Sequence, residues 1–262
     1  MSTMSGKTKI WDEKHPDFGD ILYKRAVGEL PEMESSKKIA KIIKGIYKDG
    51  DKVLDAGCGA GHYLRSLRRE IGPELNYTGS DLNGYYIKQA NVAFSEDKKS
   101  DFFESDIYNL IFSDNEFDIV MCNNVVLGLP SLEKPLNELI RVSKRKVVIR
   151  LLCGKASYRI KQINPDFEEY GENGEPKNFI YANIYSEKYI QKILTNNPKV
   201  KDFTLKPDSD YDIQNIIDAR ESYPTNAYDV TDVVDGKQVK GYIILPWSII
   251  EIDVWPYITN KT

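Results

Sequence analysis

Residues 53–61 read Val-Leu-Asp-Ala-Gly-Cys-Gly-Ala-Gly, an apolar run that passes through an acid into three alternating glycines. The residues that follow, HYLRSL, predict the start of a helix. A strand that runs directly into glycines and then into a helix lets the backbone approach a ligand closely. We therefore expect a ligand-binding turn at the end of a buried strand.

Two acids near this turn bear on the kind of ligand that it holds. Asp55 precedes the first glycine by two residues, and Asp81 ends the next predicted strand, twenty residues beyond Gly61. A carboxylate at the second position can accept hydrogen bonds from both ribose hydroxyls of a nucleoside. The glycines are spaced GxGxG, not GxGxxG, and Asp55 would repel a pyrophosphate but attract the ammonium of an amino-acid tail. Adenosine joined to a cationic amino acid describes S-adenosylmethionine.

The turn lies within an alternation of apolar runs and helical patterns that extends to about residue 153. A helical pattern, ESSKKIAKIIKGIYKDG, precedes the turn, with Ser35 or Ser36 as its predicted N-cap and Gly50 as its stop. Strands and helices that alternate in this way imply parallel βαβ units and a doubly wound sheet. Beyond residue 153 the alternation loosens into two irregular stretches.

Composition and charge exclude several classes of protein. The 262 residues include 36 Lys and Arg against 40 Asp and Glu, a net charge of −4, whereas nucleic-acid binding usually leaves a basic footprint. No apolar run approaches the ~20 residues of a membrane span, and the first residues lack the apolar core of a secretory signal. The three cysteines include no CxxC pair and fit a reduced compartment. We expect a soluble, cytoplasmic protein without a nucleic-acid or membrane partner.

Four motifs, in the right order and spacing, make the chain resemble the class I S-adenosylmethionine-dependent methyltransferases. The family's glycine motif is matched by Asp55, Gly57, Gly59 and Gly61, its ribose acid by Asp81 and its adenine-edge acid by Asp106. Its fourth-strand motif is matched by Phe117, Asp118, Val120, Val125, Leu129 and Pro130. The resemblance implies an α/β fold with a doubly wound, seven-stranded, mostly parallel sheet of order 3-2-1-4-5-7-6, in which strand 7 is antiparallel. It also implies S-adenosyl-L-methionine as methyl donor and S-adenosyl-L-homocysteine as product.

With this resemblance we interpret residues 1–262 as a single methyltransferase domain. Residues 1–33 would form an N-terminal cap segment, and residues 34–153 the donor-binding core. The remainder, 154–262, would form the side that binds the methyl acceptor, with inserts at about 155–185, after strand 5, and at about 208–240, between strands 6 and 7.

The resemblance also implies roles for individual residues in donor binding. The glycines would pass beneath the methionine part, with Asp55 holding its amino group directly or through water. Asp81 would bind the ribose and Asp106 the adenine amine, while Tyr23 and Arg25 could close over the carboxylate. The complete set of implied donor contacts is Tyr23, Arg25, Asp55, Gly57, Cys58, Gly59, Gly61, Asp81, Leu82, Ser105, Asp106, Ile107 and Asn123. His62 is interpreted as a residue of the first helical turn without a catalytic duty.

The methyl acceptor is expected to be a small molecule. The fourth strand ends in Asn-Asn-Val-Val at 123–126, without the Pro-Pro-aromatic motif of amino-methylating DNA enzymes and without an acid for a catalytic metal, so we expect no metal. A hydroxyl acceptor needs a base within reach of its proton. The candidate catalytic residues are His15, Arg150 and Tyr181, and further candidates for contacts to the methyl acceptor are Glu32, Glu34 and Arg159.

The expected activity is O-methylation of a hydroxylated metabolite or sugar, with N-methylation of a small amine as the alternative. A donor-binding protein without catalysis is a second class, because no base is obvious in the sequence. A nicotinamide-dependent oxidoreductase is a third class and rests on the glycine turn alone. The oligomeric state stays open, with a homodimer as one option.

Overall fold

The computed structural model describes residues 16–163, 168–214, 216–217, 231–240 and 243–256. The helices are α1 (Pro16–Val27), α2 (Glu34–Ile46), α3 (His62–Ile71), α4 (Gly84–Ala93), α5 (Glu133–Val142) and α6 (Glu187–Asn196), with a 3₁₀ turn at Val126–Gly128. The strands are β1 (Lys52–Ala56), β2 (Asn76–Asp81), β3 (Ser100–Glu104), β4 (Phe117–Asn123), β5 (Ser143–Gly154), β6 (Lys161–Gln162), β7 (Ile180–Tyr181), β8 (Tyr185–Ser186), β9 (Val200–Pro207), β10 (Asp232–Val234), β11 (Lys237–Lys240), β12 (Ile243–Ile244) and β13 (Trp247–Val254). None of the helices so described is both long and apolar enough to cross a bilayer.

The central sheet has the strand order β3-β2-β1-β4-β5-β13-β9. The pairs from β3 to β5 are parallel, whereas β13 runs antiparallel to both β5 and β9. With β9 as the sixth and β13 as the seventh strand of the fold, the predicted order 3-2-1-4-5-7-6 is confirmed. The carboxyl ends of β1 to β5 therefore meet at one edge of the sheet, where ligands bind in open α/β folds.

Helices cover both faces of the sheet because its central strands are apolar on both sides. Val53 and Leu54, which are neighbours in β1, point to opposite faces and belong to different core clusters. The cluster around Val53 includes residues of α2, α3 and α4, and the cluster around Leu54 includes residues of α5 and α6. The sheet is thus fixed rigidly under the edge that carries the glycine turn.

The two segments expected to be irregular inserts contain short strands. β6 and β7 form an antiparallel pair, β8 pairs with the end of β5, and β10, β11 and β12 form a separate three-stranded sheet. Each has only two to four residues, too few for an alternating pattern to predict it from the sequence. Ile180 and Tyr181 of β7 and Lys240 of β11 line the cavity described next.

Candidate functional site

A cavity of about 390 Å³ lies at the carboxyl ends of the parallel strands. Its volume is within the ~300–1,000 Å³ that small-molecule sites commonly have. Residues that follow β1, β2 and β3 line one end, and residues after β4, from β7 and from the start of β13 line the other. The cavity therefore joins the edge predicted to bind the donor to a second, different wall.

The glycine turn approaches this cavity so closely that side chains are excluded. Gly57, Gly59 and Gly61 have φ angles of 83°, 55° and 80°, a region that residues with a Cβ rarely adopt. A Cβ on Gly57 would lie only 2.3 Å from Cγ2 of Val125. Gly57 and Gly59 line the cavity, whereas Gly61 lies behind it against Phe94 and Phe102.

Asp81 is held at the end of β2 by two backbone hydrogen bonds. The Gly59 amide donates to Oδ2 at 3.0 Å, and the Asn83 amide donates to Oδ1 at 2.9 Å. The carboxylate lines the cavity beside the glycine turn. This is where the sequence placed the ribose-binding acid, and a carboxylate can accept hydrogen bonds from both ribose hydroxyls.

The segment after β3 forms the wall at the far side of Asp81. Ser105, Asp106, Ile107 and Leu82 all line the cavity. The Tyr108 amide donates to Oδ1 of Asp106 at 2.9 Å, which fixes the carboxyl group, and Ile107 is buried. The edge residues therefore run in the order of the strands, from β3 through β2 to β1. The prediction therefore stays that a nucleoside binds with its base at β3 and its ribose at β2.

Asp55 does not line the cavity, although the sequence predicted a contact with the donor's amino group. Its carboxyl group is 1% exposed and accepts a hydrogen bond of 2.8 Å from the Tyr77 hydroxyl. Burial raises the pKa of Asp55 to about 7, with a further contribution from the Asp81 charge, although the Tyr77 hydrogen bond acts in the opposite direction. Cys58, also predicted as a contact, is buried and does not line the cavity, and Tyr23, which is half-buried, does not line it either.

We expect Asp55→Asn to raise the melting temperature at pH 8 by several degrees. Because the folded-state pKa of about 7 exceeds the ordinary 3.8, the folded state holds this proton more tightly and stability falls as the pH rises from about 4 to 7. Above pH 7 the wild-type protein therefore buries a charge that asparagine lacks. Thermal denaturation at pH 8 and pH 5 checks this, since the gain should shrink at pH 5. An equal difference in melting temperature between Asp55→Asn and wild type at both pH values would contradict the prediction. A loss of S-adenosylhomocysteine affinity in Asp55→Asn would favour the contact with the donor that the sequence predicted.

The opposite end of the cavity has a mainly apolar surface, which we call the apolar wall. It consists of Leu127, Leu129, Pro130, Leu152, Phe179, Ile180, Tyr181, Leu245 and Trp247. Asn123, at the end of β4, lies between this wall and the glycine turn and is 5% exposed. Within the described residues, neither its amide nitrogen nor its amide oxygen has a hydrogen-bond partner, and the same holds for Nε1 of Trp247. Buried polar atoms of this kind are available to a ligand.

Arg150 is buried behind the apolar wall and does not line the cavity. Its Nε lies 2.6 Å from Oδ2 of Asp208, its Nη1 donates to Oδ1 of Asn124 at 2.6 Å, and its Cζ lies 3.8 Å from the centre of the Trp247 ring. Lys38 adds a second ion pair to Asp208 at 2.6 Å. The charge that interrupts the apolar run of β5 is therefore paired, as burial requires, and holds two residues that do line the cavity.

The other predicted candidates for catalysis have different positions. Tyr181 lines the cavity, and the Arg159 guanidinium lies 5.1 Å from the centre of its ring. Glu32 forms ion pairs with arginines of α3, and Glu34 forms one with Lys37, so both have structural partners. His15 lies outside the described residues. Across the described ranges, no group of three or more His, Cys, Asp or Glu side chains is placed to hold a metal ion.

Sequence reasoning missed several residues of the cavity. Leu22 of α1 lines it together with His62, and Lys240 and Trp247 line it from the last part of the chain, whereas Arg25, which also lines it, was a predicted donor contact. Burial lowers the pKa of Lys240 to about 8. His62 directly follows the glycine turn, so its position could have been inferred. Lys240 and Trp247 carried no such signal, because only long-range strand pairing brings them to the cavity.

Comparison with known proteins agrees with this geometry. The sequence model of a methyltransferase domain family matches residues 47–198, more than half of the chain. A sterol 24-C-methyltransferase of Schizosaccharomyces pombe is 37% identical over 100 residues, which cover 37% of this chain and 26% of that protein. The chain thus spans about a quarter of the length of this relative.

Two solved structures extend the likeness of the fold to almost the whole chain. Haemonchus contortus phosphoethanolamine N-methyltransferase 2, in complex with S-adenosyl-L-methionine, has a TM-score of 0.65 at 18% identity and covers 98% of this chain and 61% of that one. The [4+2]-cyclase SpnF has a TM-score of 0.63 at 13% identity and covers 97% and 98%. With the family match, the strand order and the donor-side edge, the chain belongs to the class I S-adenosylmethionine-dependent methyltransferase family.

Proposed function

We propose that the protein transfers a methyl group from S-adenosylmethionine to a small, largely apolar molecule. The observation that carries this proposal is the continuity of the cavity from the carboxylates of Asp81 and Asp106 to the apolar wall. When bound, the donor supplies an electrophilic methyl group on a sulfonium. The chain's contribution is to hold two molecules in line and to exclude water, and positioning of this kind can lower a barrier by ~7–11 kcal/mol.

The apolar wall supports an apolar methyl acceptor over a sugar. Each hydroxyl of a bound sugar needs a hydrogen-bond partner, because a buried hydroxyl without one is costly. The wall offers mainly Leu, Ile, Phe and Pro side chains, with isolated polar atoms at Asn123 and Trp247. We therefore propose an acceptor with an apolar body and one or two polar groups, and the alternative of a polyhydroxylated sugar fits this wall less well.

The names of the relatives leave the acceptor atom open, since one is a 24-C-methyltransferase and another an N-methyltransferase. At the apolar end of the described cavity, the ionisable side chains are Tyr181 and Lys240, and no carboxylate lines it. A hydroxyl acceptor requires a base, and a lysine whose pKa is about 8 is partly neutral near physiological pH. We propose O-methylation of a hydroxyl group with Lys240 as its base, and N-methylation of an amine as the alternative.

This assignment predicts a pH dependence. The rate of methyl transfer should rise with pH through about 8 and level off above it, because only the neutral Lys240 amine can accept the proton. Lys240→Met should lower the rate by about 100-fold, in the range general-base catalysis contributes, and remove this inflection. Both effects are measured as initial rates of S-adenosylhomocysteine formation between pH 6 and 10, for the wild type and for Lys240→Met. An unchanged inflection in the variant would contradict the assignment.

The experiment that tests the proposed function is turnover with a panel of small acceptors. The protein is incubated with S-adenosylmethionine and apolar phenols, alcohols and amines, with glucose and a catecholamine as polar controls, and S-adenosylhomocysteine is quantified by mass spectrometry. We expect methylation of at least one apolar phenol or alcohol and none of glucose. Donor binding without turnover of any member would favour the donor-binding protein without catalysis, and the [4+2]-cyclase of the same fold illustrates that the fold alone does not fix the reaction.

A further inference from the structure

The amino-acid tail of the donor carries an ammonium and a carboxylate, and both need partners in the site. Asp55, the acid that the sequence offered for the ammonium, is hydrogen-bonded to Tyr77 in the core. If the adenine of the donor binds at the end of β3 and its ribose at the end of β2, its amino-acid tail would reach the ends of β1 and β4. Arg25 and His62 line the cavity there, beside Gly57, Gly59 and Asn123.

His62 has the geometry of a ligand-binding side chain. Its imidazole is 9% exposed, and its Nδ1 is buried without a hydrogen-bond partner in the described part of the protein. A Cβ built on Gly59 would lie 3.8 Å from both Nδ1 and Cε1 of His62, so the ring lies directly beside the glycine backbone. The orphan nitrogen is therefore next to the surface over which the donor's tail would pass.

The electrostatics of this corner favour an anion. Burial, with a smaller contribution from the Arg25 charge, lowers the pKa of His62 to about 3, so the imidazole is neutral at physiological pH. Arg25 is 3% exposed and carries a positive charge to the same wall. His62 also opens α3, and the N-terminus of a helix is the positive end of its dipole. An anion bound here would therefore meet the positive charge of Arg25 and the positive end of the helix dipole, and it would accept a hydrogen bond from the uncharged imidazole of His62.

We propose that His62 donates a hydrogen bond from Nδ1 to the α-carboxylate of the methyl donor, beside Arg25, for which the family resemblance already implied a contact with that group. This inference rests on the proposed function, since it concerns the donor of that reaction. It gives His62 a binding role in place of the purely structural one that its sequence position suggested. A buried polar atom without a partner, such as Nδ1 of His62 in the described part of the protein, requires an explanation, and a bound carboxylate provides one.

The test compares two ligands that differ only in the tail. S-adenosylhomocysteine carries the amino acid, whereas 5′-methylthioadenosine keeps the nucleoside and the sulfur but has no carboxylate. Isothermal titration measures both affinities for the wild type, His62→Leu and His62→Asn. Leucine and asparagine have the same shape, but only asparagine offers an N–H donor near the position of Nδ1.

His62→Leu should weaken S-adenosylhomocysteine binding by about 10- to 100-fold, the range for a lost hydrogen bond to a charged group, and leave methylthioadenosine binding within about twofold. His62→Asn should recover most of the loss. Leu82→Ala, at the nucleoside end, serves as a control and should weaken both ligands alike. Retained methylthioadenosine binding also verifies that each variant is folded.

Two results would overturn the inference while leaving the proposed function in place. One is an equal loss of both ligands in His62→Leu and His62→Asn, which indicates a packing role. The other is unchanged S-adenosylhomocysteine affinity in His62→Leu. Failure of the wild-type protein to bind S-adenosylhomocysteine at all would instead refute the proposed function, and the inference with it.

Discussion

Asp81→Ala is expected to abolish the stabilisation of the protein by S-adenosylhomocysteine. A ligand at 100 times its Kd adds about 2.7 kcal/mol to the wild-type free energy of unfolding, which corresponds to roughly 5–10 °C for a chain of this size. Asp81 lines the cavity with a carboxylate that two backbone amides hold in place. Without it, two ribose hydroxyls would lose a charged partner, and we expect at least about a 100-fold loss of affinity.

Thermal denaturation with and without ligand measures this effect. Because Asp81 also accepts hydrogen bonds from Gly59 and Asn83, each variant is compared with its own ligand-free melting temperature. Asp101→Ala is the matched control, since Asp101 is an exposed acid on β3 that does not line the cavity. S-adenosylhomocysteine should raise the melting temperature of this control variant by as much as that of the wild type. A full ligand-induced shift in Asp81→Ala would contradict the assignment of the ribose site.

Arg150→Ala is expected to destabilise the folded protein by about 3–5 kcal/mol, the usual cost of leaving one member of a buried ion pair without its partner. Asp208 is 6% exposed and would retain only Lys38 as a cation. The variant would also lose the hydrogen bond to Asn124 and the stacking on Trp247, so the apolar wall should loosen. Urea denaturation at pH 7 measures the change.

The pH dependence distinguishes a lost ion pair from lost packing. Burial alone would raise the pKa of Asp208, but Arg150 and Lys38 outweigh it and hold the pKa below its ordinary value. A depressed carboxyl pKa contributes stability above about pH 4 and loses it as the pH falls through the folded-state value. The difference between wild type and Arg150→Ala should therefore narrow below pH 4. Lys146→Ala, which breaks a partly exposed ion pair with Asp253, should cost at most about 1 kcal/mol of the free energy of unfolding. An equally small cost in Arg150→Ala would contradict the prediction.

The sequence was sufficient for the central sheet and for the donor-side edge. The family resemblance implied the strand order, and three of the residues predicted to contact the donor, Asp81, Asp106 and Gly59, line the cavity. These features depend on local signals, namely a strand end, a turn and the start of a helix. Ser186 is a similar local feature, since its hydroxyl caps α6 by accepting from the Tyr189 amide.

The predicted N-cap and C-terminal stop of the helix before the glycine turn were wrong. The helix before the glycine turn begins after Met33 and ends at Ile46, without the predicted serine cap or the stop at Gly50. Ser36 instead donates to the Met33 carbonyl, and Ser35 accepts from the Tyr63 hydroxyl of the neighbouring helix. Local propensity predicts such caps, but side chains used in helix packing are no longer available for capping.

The apolar wall could not be predicted from the sequence, because it depends on contacts between residues that are far apart in the chain. Trp247 pairs with Leu152 across β13 and β5, nearly a hundred residues apart, and Arg150 pairs with Asp208, 58 residues further along the chain. From the sequence, Arg150 was a candidate catalytic residue, and the fold shows that it pairs with Asp208 and does not line the cavity. Contacts of this kind follow only from the folded sheet.

A crystal structure of the complex with S-adenosylhomocysteine tests the central claim most directly. We predict the adenine against Ile107 and Leu82, the ribose hydroxyls within hydrogen-bond distance of Asp81, and the sulfur facing the apolar wall beside Asn123. A ligand bound elsewhere, or one whose sulfur faces away from the apolar wall, would contradict the account of a single cavity in which donor and methyl acceptor meet.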